Sequence, residues 1–118
     1  MLTPEDLRQR TKMFALRVIR LYRSLPNTAD AQVLGKQLLR CGTSVAANYR
    51  AACRGRSRAE FAAKLGIVVE EADESMLWLE LLADSGIVKQ NLLDPLQQEA
   101  KELTALFTAS RHTMRGRS

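Results

Sequence analysis

Residues 35–82 read GKQLLRCGTSVAANYRAACRGRSRAEFAAKLGIVVEEADESMLWLELL. Two apolar stripes run through this stretch at helical spacing, with one break between them. In the first, Leu34, Leu38, Cys41, Val45, Asn48 and Ala52 recur at alternating intervals of four and three, a near-heptad seam along one side of a helix. In the second, Phe61, Leu65, Val68, Ala72, Met76, Leu79 and Ala83 form a similar stripe. Gly55 ends the first helix. Ser57-Arg58-Ala59-Glu60 opens the next as a capping box, in which the serine and glutamate side chains each answer a free backbone N–H. A helix over about 29–54 followed directly by one from 57 to about 83 must fold back on itself, so the two are antiparallel neighbours.

The flanks supply two more helices. Thr3-Pro4-Glu5-Asp6 combines a threonine cap, proline at the first helical position and acids in the first turn. The helix it opens extends to about Leu25, before Pro26, with Leu7, Phe14, Val18, Leu21 and Leu25 on one face. Asp84-Ser85-Gly86 closes the third helix. Asp94-Pro95-Leu96-Gln97 is expected to open the fourth, with Leu96, Ala100, Leu103, Phe107 and Ser110 facing inward. The fold expected is all-α, an antiparallel up-down-up-down four-helix bundle over residues 1–112, with 113–118 a basic, disordered tail. Gly42 and Gly66 lie within helices, where each costs about 1 kcal/mol against alanine; close helix approach explains their use. Asn48 interrupts the apolar seam, a placement that sets register or partner number at some cost in stability.

Composition narrows the function. A chain of 118 residues with only 6 glycines and 3 prolines has few turns to spend, which suits long helices. No apolar run nears the roughly 20 residues that cross a bilayer, and MLTPEDLRQR lacks the apolar core of a secretory signal. A cytoplasmic protein is expected, with no membrane partner. Cys41 and Cys53, the two cysteines, lie about 18 Å apart along one helix at ~1.5 Å per residue, too far for a disulfide. With His112 they fall short of the usual four zinc ligands.

No catalytic set is legible. His112 sits near the end of the last helix, where it complements the helix dipole. The acidic run Glu70, Glu71, Asp73 and Glu74 lacks the Glu-x-x-His pairs of carboxylate-bridged metal bundles, and no phosphate-cradling glycine loop occurs. The expectation is a protein without catalytic residues, metal or cofactor.

Charge is sorted by segment. The net charge is +5, yet residues 1–28 and 29–56 each balance to +4, residues 57–84 to −5, and residues 85–118 to +2. On the second helix Lys36, Arg40, Arg50 and Arg54 fall within about 80° of arc, and Arg56 and Arg58 follow in the bend. Arginine, whose planar fork bonds phosphate bidentately, outnumbers lysine. Arg40, Arg50, Arg54, Arg56 and Arg58 are therefore candidates for phosphate contact, with Arg17 and Arg20 of the first helix as outer members. With few aromatic residues, binding should be directed at the backbone and weaken with salt. Ile67, Glu71, Glu74 and Trp78 share an acidic flank of the third helix and are the candidate oligomer interface, where one copy meets the basic face of the next. Two simpler arrangements stay open: the second and third helices pair their charges within one chain, or both faces are solvated.

The stretch Gly35–Leu82 also resembles the central pattern of the bacterial four-helix-bundle proteins named for the 23S rRNA intervening sequence. The features that carry the likeness are Gln37-Leu38-Leu39-Arg40, Ser44 and Asn48, then Gly55-Arg56-Ser57 with Glu60-Phe61, then Glu70-Glu71. Tyr49 stands where a small or branched apolar residue is commoner, and Cys53 replaces a frequent Glu-Gly ending. The resemblance implies a ring-shaped homopentamer. It also implies kinship with the accessory variability determinant of diversity-generating retroelements, a basic pentameric bundle that binds nucleic acid and a reverse transcriptase. The function expected is a nucleic-acid-binding accessory protein for RNA or structured DNA. The rival is a protein-interaction scaffold whose arginines hold an acidic partner or a neighbouring subunit.

Overall fold

The computed structural model describes residues 2–116 and consists of four helices: α1 (Pro4–Ser24), α2 (Ala29–Cys53), α3 (Arg58–Asp84) and α4 (Gln90–Gly116). They form an up-down bundle about 47 Å long and 20 Å across. Successive helices pack on one another, α2 on α3 and α3 on α4 most closely, while α1 and α4 scarcely approach.

The start signals act as the sequence leads one to expect. Thr3 Oγ1 accepts the Asp6 N–H at 3.1 Å and the Asp6 carboxylate accepts the Thr3 N–H at 2.9 Å, a complete capping box ahead of Pro4. These bonds hold the Asp6 carboxyl below its ordinary range. At α3 the box is half made: Ser57 Oγ accepts the Glu60 N–H at 3.1 Å, but the Glu60 carboxylate reaches past Ser57 to the Arg56 N–H. Gly86, at φ +80°, lets the chain leave α3.

The core is one continuous cluster. Phe14 and Val18 of α1, Leu38 and Val45 of α2, Leu65, Val68, Ala72, Leu79 and Leu82 of α3, and Leu103 and Phe107 of α4 are all buried. Each large apolar side chain removed from water contributes about 1.5–3 kcal/mol. On α2 the seam departs from expectation at one position. Tyr49, 2% exposed, stacks at an angle on Phe107 with ring centroids 5.1 Å apart, while Asn48 is half-buried and its Nδ2 donates to the Ser44 carbonyl of its own helix at 2.9 Å. Asn48 therefore does not sit in the core seam. The larger ring fills the space towards α4, and a one-residue rotation of the stripe puts the amide at the margin.

The fourth helix departs further. It begins at Gln90 rather than Asp94, and Pro95 lies inside it. A proline there forfeits one backbone bond to the Asn91 carbonyl; Asn91 is exposed, so water can answer that oxygen. The gain is Leu93, which is buried and completes a Leu93, Leu96, Ala100, Leu103, Phe107 heptad. Burial outweighs the local break. At the other end the expected tail is helical through Gly116; residues 117 and 118 of that expected tail lie outside the described residues. Met114 and Arg111 account for the extension, since both line a groove with the first turns of α3.

Two contacts settle α1. A Cβ at Gly42 would stand 2.9 Å from Val18 Cγ2, and one at Gly35 would stand 2.5 Å from Leu25 Cδ1, so these two positions on α2 let α1 lie close. Across the sparse seam to α4, Arg10 donates to Glu99 at 2.7 and 2.8 Å and to Glu102 at 2.9 Å. Among the described residues no helix is long and apolar enough to cross a membrane.

Gly42→Ala should test the close approach. It gains up to about 1 kcal/mol in helix propensity but drives a methyl into the stiff Val18 side chain, an overpacking that costs about 1–3 kcal/mol. The net expected in urea denaturation is a loss of stability. In a Val18→Ala background the same substitution should become neutral or stabilising; an unchanged penalty there would show that Val18 is not the obstacle.

Candidate nucleic-acid interface

Antiparallel packing brings four helix termini to one end of the rod: the start of α1, the end of α2, the start of α3 and the end of α4. Each delivers cations. Arg8 comes from the second turn of α1, Arg50 and Arg54 from the close of α2, Arg56 from the bend, Arg58 and Lys64 from the opening turns of α3, and Arg111 and Arg115 from the last turns of α4. Arg50 and Arg54 also complement the negative end of the α2 dipole.

All of these side chains but Arg56, which lies in the bend between two of them, edge a chain of shallow recesses with shared walls. Glu5, Arg8, Gln9, Arg50, Cys53 and Arg54 line the first. Arg54 passes into a second with Ala51, Gly55, Glu60, Ala63 and Lys64. Ala63 passes into a third, between α3 and α4, with Arg58, Ala59, Ala62, Arg111 and Met114. A further groove beside the first joins Lys12 to Arg50 across Thr43, Ala46 and Ala47. The result is a continuous, mostly basic belt around the end of the bundle.

Two acids lie within it, and both have partners. Glu5 accepts from Arg8 at 2.7 Å and from Gln9 at 3.3 Å, which holds its carboxyl below the usual range. Glu60 is taken by the Arg56 and Ser57 cap. The Arg8 guanidinium is held more firmly charged by Glu5 first and then by the Cys53 thiol. Tyr49 beneath is pushed up, by burial first and then by Cys53. Both cysteines are free thiols; burial pushes the Cys41 thiol up while the Ser75 hydroxyl, 3.2 Å away, opposes it.

The structure brings Arg50, Arg54, Arg56 and Arg58 together at this end. Arg40 is elsewhere. It donates to Glu71 at 3.2 Å and to Glu74, and Trp78 Nε1 donates to the same Glu74 at 3.0 Å. The antiparallel register sets Arg40 against 71–74, one step from the Cys41–Ser75 contact. A residue expected to meet phosphate and three expected to meet another subunit thus form one cluster within a chain, in line with the simpler arrangement. Ile67 is 37% exposed, one turn from that cluster, and Leu77 and Leu81 are exposed further along α3. Arg17 and Arg20 also stand apart, near the level where Val18 meets Gly42, and line none of the basic recesses.

Arg8, Lys64, Arg111 and Arg115 belong to the belt and escaped sequence reasoning. Arg8 could have been found from topology, since an antiparallel α1 must begin beside the end of α2. Arg111 and Arg115 stand four apart, one helical turn, but reading 113–118 as a tail hid that spacing.

A family model described as 23S rRNA-intervening sequence protein matches residues 5–109. Among solved structures, the chain is similar to a protein with unknown function from the S23 ribosomal protein family of Bacteroides thetaiotaomicron VPI-5482. The identity is 32%, the TM-score 0.87, and the likeness covers 94% of this chain and 99% of that one. No curated protein matches.

Arg40→Ala should separate the cluster from the belt. The Arg40 side chain is 50% exposed and Glu71 16% exposed, so the loss of stability should be modest, about 1 kcal/mol. Affinity for a polyanion should stay within about twofold, as for any residue outside the phosphate contacts. A tenfold drop measured by fluorescence anisotropy would return Arg40 to the interface.

Proposed function

The chain belongs to the 23S rRNA-intervening sequence protein family, and on that footing we propose that it is a non-enzymatic accessory protein that binds RNA or structured DNA through the basic end of its bundle. The observation that carries this reading is the convergence of Arg50, Arg54, Arg56 and Arg58 with Arg8, Lys64 and Arg111 at one end, where the acids already have partners. Guanidinium groups spaced around a convex end suit phosphates along a backbone, and such contacts position without reading sequence. The belt has no row of exposed aromatic rings on which bases could stack in succession.

The protein acts in the cytosol as a homo-oligomeric ring, with five copies expected from the family resemblance. Exposed Ile67, Leu77 and Leu81 on the acidic helix support the contact between copies, with Trp78 beside them. A reverse transcriptase of a diversity-generating retroelement is a partner consistent with the same resemblance. In the rival scaffold reading, the same arginines hold an acidic protein.

Native mass spectrometry with and without added RNA counts the copies and detects bound nucleic acid in one experiment. If about six basic groups meet phosphates, affinity should fall roughly a thousandfold between about 50 and 200 mM salt. Arg50/Arg54/Arg58→Glu should abolish binding with the helical signal retained and the urea midpoint only modestly lowered, by the loss of two cations from the α2 C-terminus. Salt-independent binding, or full affinity in that variant, would defeat the reading. Capture of an acidic protein with no affinity for either nucleic acid would favour the scaffold.

A further inference from the structure

Two helix faces carry charges that nothing within the chain answers. Along its outer side α1 sets Lys12, Arg17, Arg20 and Arg23 around Met13 and Leu16, with Leu16 and Arg17 half-buried and the others exposed. The outer side of α3 sets Glu70 and Asp73 among Ile67, Leu77 and Leu81, all exposed. Among the described residues, neither those four cations nor these two acids take part in an ion pair. The fold keeps them apart. α1 and α3 each pack on α2 and α4 but not on one another, so they occupy opposite corners of the bundle. One chain therefore cannot bring its own α1 cations to its own α3 acids.

We infer that the outer face of α1 in one copy docks on the outer face of α3 in the next, a head-to-tail contact between copies of this chain. The inference rests on the ring reading above and deepens it, because it names the surface that meets the acidic helix. The basic side of α2 is a poor candidate for that role, since Arg40 already holds Glu71 and Glu74 of its own chain. Arg17 and Arg20 have no such partner and line none of the basic recesses. Charge also opposes a twofold arrangement. A twofold contact lays one patch on its own copy, which here would set acids of α3 on acids, or cations of α1 on cations. Like charges so opposed suppress an interface, whereas acid on cation favours it.

The two faces also match in height. Val18 lies against Gly42, and Cys41 against Ser75. Carried across α2, that register puts Arg17 level with Asp73. Lys12 falls about 3 Å from the level of Glu70, at ~1.5 Å per residue, and Met13 stands between the levels of Ile67 and Glu70. In an up-down bundle α1 and α3 run in the same direction. In a ring whose axis lies along the bundles, rotation from one copy to the next leaves height unchanged. Levels matched within one chain are then the levels that meet at the contact. Arg17 faces Asp73, Lys12 reaches Glu70, and Met13 covers Ile67.

Exchange of charge between the two faces tests the contact in the full chain, with copies counted by sedimentation and native mass spectrometry. Arg17/Arg20→Glu should weaken self-association about a hundredfold or more, and Glu70/Asp73→Lys should do the same. Neither variant breaks an ion pair of the fold, so both should keep the helical signal. A chain with all four substitutions has its charges exchanged and should reassemble with the parent's copy number. Should a double variant fail to fold, Arg17→Asp combined with Asp73→Arg repeats the rescue at one pair. Dissociation by either double variant without recovery in the fourfold chain would overturn the pairing of these faces. Assembly undisturbed by both double variants would also overturn it, and the ring would then stand on another contact. If Arg17/Arg20→Glu keeps the parent's copy number and instead loses affinity for RNA, the α1 face is a phosphate contact and the inference falls. A parent chain that stays single at every concentration would bring down the ring reading itself, and this contact with it.

Discussion

The seam between α2 and α3 is the interaction from which the remaining placements follow. Leu38, Cys41 and Val45 face Leu65, Val68, Ala72 and Leu79, all shut away from water, and the bend 54–57 is too short for any arrangement but antiparallel. Once that pair is set, α1 can dock only where Gly35 and Gly42 let it approach, and α4 continues against the other side of α3. Because α3 serves two neighbours, it is apolar on more than one side. Its acids are confined to what remains, which puts Glu71 and Glu74 beside Arg40 rather than free in solvent.

Register therefore decides which charges cancel and which accumulate. Mid-bundle, opposite charges are brought together: Arg40 with Glu71 and Glu74, Arg10 with Glu99 and Glu102. Pairs this exposed contribute little each, but they give those arginines acidic partners within the chain. At the end where α1 starts and α4 finishes, the register supplies few acids. Like charges there repel, and water and salt screen the repulsion within about 8–10 Å. The arrangement is tolerable for the fold and attractive to a polyanion.

Much of this was legible from residue order. Caps at Thr3 and Ser57, the stops at Gly55 and Gly86, and heptad stripes on every helix gave four elements and their order, because these signals act within a few residues. What escaped was decided across helices. Tyr49 rather than Asn48 enters the core because Phe107 lies opposite, a fact no spacing on α2 contains. Pro95 looked like a helix start and is a helix interior, because burying Leu93 outweighs one lost backbone bond. The angle of Arg40 around α2 puts it on the basic face, but no spacing on α2 shows that α3 sets Glu71 and Glu74 beside it. Arg111 was lost because a basic C-terminal run resembles a solvated tail until a groove is found beneath it.

The two ends of the rod differ in a way that bears on how a nucleic acid would meet it. At the end opposite the belt, the turns carry exposed Asp30, Asp84 and Asp94 against Arg23 and Lys89, so their charges largely offset. The chain is thus polarised along its 47 Å length, and a polyanion approaching from any side is drawn towards one end. In the ring proposed above, rotation about a single axis relates every copy to the next, so all belts would stand at one height and one distance from the axis. Phosphate contacts that are weak and non-specific in one copy would then be repeated at fixed intervals around a circle, and affinity would rise by the proximity of the second contact to the first rather than by any new bond. If the proposed ring forms, a small bundle could in this way hold a long or folded nucleic acid firmly through backbone contacts alone.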